Sequence, residues 1–317
     1  MELNEYREKV LGGVFGLCVG DALGVPVEGA KRSRLEMAPV KDYREFGSHN
    51  QPAGTWSDDS SMALCLMDSL RGDYDPEDIA LKFNEWWKQG LWTAHGHAFD
   101  IGRTVSRALK NHREGKPAVE AGVKGEFGNG NGALMRILPL VFYTMKDDSP
   151  RRHALIAEVS SITHGHPRGI LACVYYVEAG IALLRGLPML EAFKHAARVT
   201  KETRVGEYRA EFTHFERLFE PESLMKEGAK TIKSDGYVMH TLEAAVWCLL
   251  RGESYGECVL AAVNLGGDTD TTAAVCGGPA GIFHGFAGIP VKWKKGLARA
   301  GDIVRLCDEF ARAAYGD

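Results

Sequence analysis

Apolar positions recur at helical spacing along most of the chain. Ile170, Val174, Val177, Ile181 and Leu184 fall at i, i+4, i+7, i+11 and i+14, one helix face over four turns. Leu242, Val246 and Leu249 repeat the spacing, as do Ile303, Leu306 and Phe310. Similar patterning predicts helices over about 4–19, 59–70, 76–88, 101–113, 132–145, 151–163, 188–200, 255–264 and 270–284. Period-two alternation between turn signals, the mark of hairpin strands, is missing. The expected fold class is all-α, with several helices apolar on most sides and hence central. No repeat, low-complexity tract or Pro/Ser linker divides the chain, so 1–317 reads as one domain. The most polar long stretch, 201–236, either covers a site or connects helices.

Composition narrows the class. The 317 residues are 45% hydrophobic and 25% charged, values of a globular chain long enough to bury most of its apolar surface. Net charge is −4 and no Lys/Arg stripe recurs, which argues against nucleic acid as a partner. Seven scattered cysteines, odd in number and without a CxxC pair, read as free thiols of a reducing compartment. Met1–Glu5 lacks the basic stretch and apolar core of a signal peptide, and no 18-residue uncharged apolar run appears. The expectation is a cytoplasmic chain without a membrane partner.

Two segments share one design. Gly54-Thr55-Trp56-Ser57-Asp58-Asp59-Ser60 and Gly266-Gly267-Asp268-Thr269-Asp270-Thr271-Thr272 each put two carboxylates and a hydroxyl at a helix start, after glycine. Capping and the helix dipole account for one acid apiece but poorly for a pair. Two carboxylates ~4 Å apart repel by about 4 kcal/mol at an effective dielectric of ~20. If the segments converge, a cation is the usual remedy, and oxygen-only donors favour Mg²⁺ or Mn²⁺ over zinc.

Other signals stand beside these. Gly24 and Pro26 end the first helix and leave Glu28 on a loop, as a solvated acid or a mobile one near a site. Asp21 is placed to tie down a neighbouring loop. Gly125–Gly132 carries four glycines and feeds a helix, either as a flexible turn or as a backbone cradle for an anion. It is neither a Walker loop nor a dinucleotide fingerprint. His164-Gly165-His166 lacks a third zinc ligand nearby, so a phosphate or ribose donor, or a polar helix-end turn, fits better. Asp100 reads as the N-cap of the helix that follows it.

In this order, GDALGVPVEG (20–29), GTWSDDSSMAL (54–64), FDIGRTVSRAL (99–109), GNGNGALMR (128–136), SITHGHPRG (161–169) and NLGGDTDTTAAVCGGPAGIFHG (264–285) resemble the ADP-ribosylglycohydrolase family. The resemblance implies a compact orthogonal helical bundle around a binuclear Mg²⁺ or Mn²⁺ site. By position, Ser57, Asp58, Asp59, Asp268, Asp270 and Thr271 would be the metal ligands. Glu28 would be the family's lid glutamate, and Gly128, Asn129, Gly130, Asn131 and Gly132 would hold the diphosphate, with Gly102 and His164 nearby. Asp100 matches an acidic position that helps place a leaving guanidinium or the ribose. The implied activity is release of ADP-ribose from an ADP-ribosylated protein or small molecule, with Asp58 or Asp59 as general base and Glu28 aiding proton transfer. Ser57 replaces the commoner Thr but keeps the hydroxyl, Asn129 occupies a variable position, and no motif identifies the adenine contacts. Two other readings stay open: a non-catalytic ADP-ribose binder or structural relative, and a metal-dependent hydrolase of another nucleotide such as O-acetyl-ADP-ribose.

Overall fold

The computed structural model describes residues 1–203 and 206–316; Arg204 and Val205, within the polar stretch, and Asp317 lie outside the described residues. The fold is all-α, as the periodicity predicts. The helices are α1 (Leu3–Gly24), α2 (Arg32–Met37), α3 (Asp58–Ser69), α4 (Pro76–Gln89), α5 (Arg103–Arg113) and α6 (Ala118–Ala121). They continue with α7 (Pro139–Tyr143), α8 (Ser149–Ser161), α9 (Pro167–Leu184), α10 (Met189–Glu202) and α11 (Pro221–Lys226). The last five are α12 (Val238–Arg251), α13 (Tyr255–Asn264), α14 (Thr269–Gly288), α15 (Val291–Gly296) and α16 (Ala300–Tyr315). Among the described residues, the isolated bridges Val123–His164 and Gly130–Tyr237 are the sole strand-like pairings.

Local chemistry sets many of the ends. Asp75, Asp148 and Ser254 accept from the amides of Glu77, Arg151 and Glu257 and so cap α4, α8 and α13. Pro at the first turn starts α4, α8 and α9, and Gly90 in the left-handed region closes α4. Two expectations fail. The helix expected over 132–145 is a 3-10 turn at Leu134–Arg136 followed by α7, because Pro139 has no amide to donate and its ring crowds the preceding turn. Asp100 is not an N-cap: its φ is +57°, and α5 begins three residues later, behind Gly102.

α1, α9 and α14 form the centre. Every residue of α1 from Val10 to Gly24 is buried, as is every residue of α14 from Thr269 to Ile282. Leu3–Val27 and Pro167–Leu184 have the length and apolar composition of membrane-crossing segments, yet the apolar 18-residue stretch of each is 100% and 94% buried inside the protein. All seven cysteines are buried and unpaired.

α1 and α14 run antiparallel in backbone contact. A Cβ added at Gly16 would lie 2.2 Å from the Gly277 carbonyl oxygen, and one at Gly20 would lie 2.1 Å from that of Ala273. At Gly24 the same atom would meet the Asp270 Cα at 2.3 Å. Small residues at i, i+4 and i+8 of α1 therefore bring its C-terminal end against the start of α14. Thr269 Oγ1 donates to the Gly24 carbonyl (2.8 Å) and fixes the junction.

Candidate active site

Asp21, in the last turn of α1, organises the start of α3. Its carboxylate accepts from the amides of Ser57 (3.0 and 3.1 Å) and Ser60 (3.0 Å) and from Ser60 Oγ (2.6 Å). It is fully buried, and burial pushes its pKa up to about 6 despite these bonds. Ser57 caps α3, accepting from the Asp59 amide, and its hydroxyl donates to Asp59 Oδ2 (3.0 Å). Thr271 Oγ1, from the first turn of α14, donates to the same oxygen (3.3 Å). The two acidic segments converge.

The second segment is held from its own side. Gly266 and Gly267 have φ of +77° and +73°, a turn that favours glycine. The Gly267 amide donates to Ala30 O, and its carbonyl accepts from the Gly29 amide (2.7 Å), so this turn also carries Glu28. The Asp268 amide donates to Ser234 O (2.7 Å), and Asp268 Oδ2 accepts from Asn131 Nδ2 (2.7 Å). Asn131 also donates to Thr241 Oγ1, which links the glycine loop to α12 and to the acids at once.

Above these acids lies a cavity of about 240 Å³. Glu28, Asp58, Asp100, Gly102, Gly130, Asn131, Gly132, His164, Asp268 and Thr271 line it. Ser57, Asp59 and Asp270 lie buried outside the lining. Gly128 and Asn129 are not gathered in: Gly128 packs against Val123, and Asn129 Nδ2 turns to the Glu126 carbonyl.

Electrostatically the site is overloaded with acid. Burial, then neighbouring carboxylates, holds Asp58, Asp59 and Asp270 well above the usual carboxylate range. Asp100 rises to about 6 for the same reasons, burial first and Glu28 next. Asp59 Oδ1 and Asp270 Oδ2 are buried without any hydrogen-bond partner. Carboxylate oxygens of Asp21, Asp59 and Asp270 lie within 4.8 Å of one another, and a second group joins Asp270 to Glu28, His49 and Asp100. Orphaned buried oxygens facing like charge fit a hard divalent cation.

His164 differs. Burial, and then the charge of Arg136, lowers its pKa to about 3, so the ring is neutral. Its Nδ1 pairs with Thr163 Oγ1 (2.8 Å). When that hydroxyl donates, Nε2 carries the proton and can donate.

The family model for ADP-ribosylglycohydrolase matches residues 2–317. The chain belongs to the ADP-ribosylglycohydrolase family. It is 30% identical over 327 aligned residues to the ADP-ribosylarginine hydrolase Tri1 of Pseudomonas putida, covering 98% of this chain and 80% of that protein. It is 28% identical to the ADP-ribosyl-[dinitrogen reductase] glycohydrolase of Rhodospirillum rubrum, covering 90% and 89%. A solved structure described as an ADP-ribosylglycohydrolase-related protein complex superposes with a TM-score of 0.82 at 30% identity, covering 98% and 99%. ADP-ribosylglycohydrolases are hydrolases acting on glycosidic bonds.

Three contributors to this ADP-ribosylglycohydrolase site escape sequence reasoning. His49 Nε2 bonds to Glu28 Oε2 and stands 3.9 Å from Asp100 Oδ2, and its ring lies beside Phe99. Ser234 positions Asp268, and Arg103 sits in the cavity wall. A lone His in a polar loop and a Ser in the 201–236 stretch carry no spacing signal. Arg103 lies inside a quoted motif but has no second group to mark it.

Proposed function

We propose that this chain is a metal-dependent ADP-ribosylhydrolase. It cleaves the C1″ bond of an ADP-ribosylated arginine, or another guanidine, and releases ADP-ribose. The observation that carries the reading is the meeting of Asp59 and Thr271 beneath a cavity edged by Glu28, Asp58 and Asp100.

In this reading Ser57, Asp58, Asp59, Asp268, Asp270 and Thr271 hold two divalent cations, Mg²⁺ or Mn²⁺. Such ions supply Lewis acidity and lower the pKa of water. The chain's own groups do the rest. Asp58, in the cavity wall, takes the proton from the attacking water. The C1″–N bond breaks as the water oxygen bonds to C1″, and the guanidine departs with the electron pair. Positive charge builds on the ribose ring while the C1″–N bond stretches, and Asp100 stabilises it electrostatically. Glu28, tied to His49 and by its carbonyl to Ser48 Oγ (2.6 Å), closes one side and excludes water. The acidic edge suits a cationic guanidinium, which favours arginine over a neutral acetyl ester. Gly130–Gly132 and His164 take the diphosphate. At about 240 Å³ the cavity accepts the ribose-phosphate end and leaves the adenosine at its mouth.

The test is a panel of ADP-ribosyl-arginine, ADP-ribosyl-serine, O-acetyl-ADP-ribose and free nucleotides, each with and without Mg²⁺ or Mn²⁺. Metal-dependent release of ADP-ribose from the arginine conjugate is the expected result. Turnover of free nucleotides alone, or binding without turnover, would replace this reading with one of its rivals.

A further inference from the structure

Arg136 is 0% exposed. Its Nη1 donates to the Gly132 carbonyl (2.5 Å) and its Nη2 to the Val159 carbonyl (3.0 Å), while Nε has no partner. The guanidinium faces the Phe83 ring, 4.8 Å from its centroid. Among the described residues no carboxylate compensates it; burial lowers its pKa to about 10, which still leaves it charged at neutral pH. A buried, unpaired cation is costly, and two carbonyl bonds offset only part of that cost. The position is specific. Gly132, which receives one of the bonds, is itself part of the cavity wall, and His164 beside it feels the charge.

We propose that Arg136 is a positioning residue for the substrate's diphosphate. One peptide behind the Gly130–Gly132 segment, its guanidinium fixes that segment and makes this wall attractive to a dianion, in a cavity whose lining carries four acids and one other cation, Arg103. The cation answers the acids: Asp100 and Glu28, in the same cavity and outside the proposed cation ligands, repel phosphate. Because Arg136 is sealed from solvent, its field on the ligand is little screened by salt. His164, kept neutral by burial and this neighbour, remains able to donate without bringing a second charge. The inference rests on the site being one for ADP-ribose.

Arg136→Met and Arg136→Gln remove the charge, and Arg136→Lys keeps it. Calorimetric titration with ADP-ribose and kinetics on ADP-ribosyl-arginine give the readout. The neutral variants are expected to weaken ADP-ribose binding and raise KM by about tenfold or more, with kcat changed less than about threefold. Arg136→Lys should recover most of the affinity. A buried Lys loses its proton far more readily than Arg, so Arg136→Lys affinity should fall between about pH 7 and 10 while the wild type's stays level. That last comparison needs no neutral variant to fold. Unchanged affinity in the neutral variants, a Lys variant as weak as they are, or a Lys variant without the alkaline fall would each overturn the proposal. If the wild type itself binds no ADP-ribose, the functional reading falls and takes this with it. A wild type that binds and turns over beside unaffected variants removes the role of Arg136 alone.

Discussion

Thr271 Oγ1 lies 3.3 Å from Asp59 Oδ2, across 212 residues of chain. Each belongs to the first turn of a helix, and both helix starts are set by the end of α1. Asp21 holds the first and Gly24 the second, so a single helix terminus brings the Asp58–Asp59 and Asp268–Asp270 pairs together.

Asp58→Asn removes the carboxylate that edges the cavity and keeps its shape. It should lower kcat/KM on ADP-ribosyl-arginine by about 10³-fold, within the usual range for a positioned base, while the helical circular dichroism spectrum persists. Near-normal turnover would dismiss Asp58 as the base.

Cation binding should register as stability. At a hundredfold excess over Kd, Mg²⁺ or Mn²⁺ adds about 2.7 kcal/mol, or about 4 °C in a thermal melt of a chain this size. Asp270→Asn should abolish that response, because Asp270 Oδ2 is one of the two orphaned carboxylate oxygens among the described residues. An equal upward shift in wild type and variant would place the cation elsewhere.

Asp21→Ala breaks the bonds to both amides and the hydroxyl of the α3 start. We expect a loss of about 2–4 kcal/mol in denaturant unfolding, since each buried donor left unpaired costs about 1–3 kcal/mol and some will find other partners. Activity should fall further than stability explains, because Ser57 and Asp59 lose their placement.

His164 makes acid unfolding partly its own. Its folded pKa, about 3, lies below the unfolded value, about 6.5, so only the unfolded chain takes up the proton between them. Stability present above pH 6.5 is therefore lost as pH falls, by about 1.4 kcal/mol per unit from this residue. Asp58, Asp59 and Asp270, with raised pKa values, work in the opposite sense. The comparison is therefore between wild type and His164→Gln, and the variant should lose less stability on acidification. Parallel stability curves below pH 6.5 would refute the assignment.

Gly16→Ala introduces a Cβ 2.2 Å from the Gly277 carbonyl oxygen, where backbone, not a flexible side chain, must yield. The expected loss is about 3 kcal/mol or more, beyond ordinary overpacking. The same change at Gly301, where an added Cβ meets nothing within 4 Å, should be close to neutral.

Much of this was legible in the sequence. The span 255–264, expected from its apolar spacing, is α13 to the residue, and the structure adds the cap, with Ser254 accepting from the Glu257 amide. The two acidic segments were recognisable as helix starts because their glycines and hydroxyls have a local reason to be there. Their convergence was not readable from either alone: it depends on α1 and α14 touching through glycines, and a glycine's partner lies across the fold. Asp100 was misread for a related reason. An acid before a helix looks like a cap, and nothing local says that a positive φ turns it away from α5. The break at Pro139 could have been read, since a proline inside a helical pattern marks an end.

The backbone contact between α1 and α14 has a consequence for how this protein can vary. Side chains normally act as a compliant layer that absorbs small shifts between helices; here that layer is missing, so a slide of one residue would carry a carboxylate about 1.5 Å along the axis, enough to spoil a coordination sphere. The seam works as a ruler. Mutations on the outer helices can retune what enters the cavity, whereas the spacing of the acids is written into two bare stretches of main chain that leave almost no room for change.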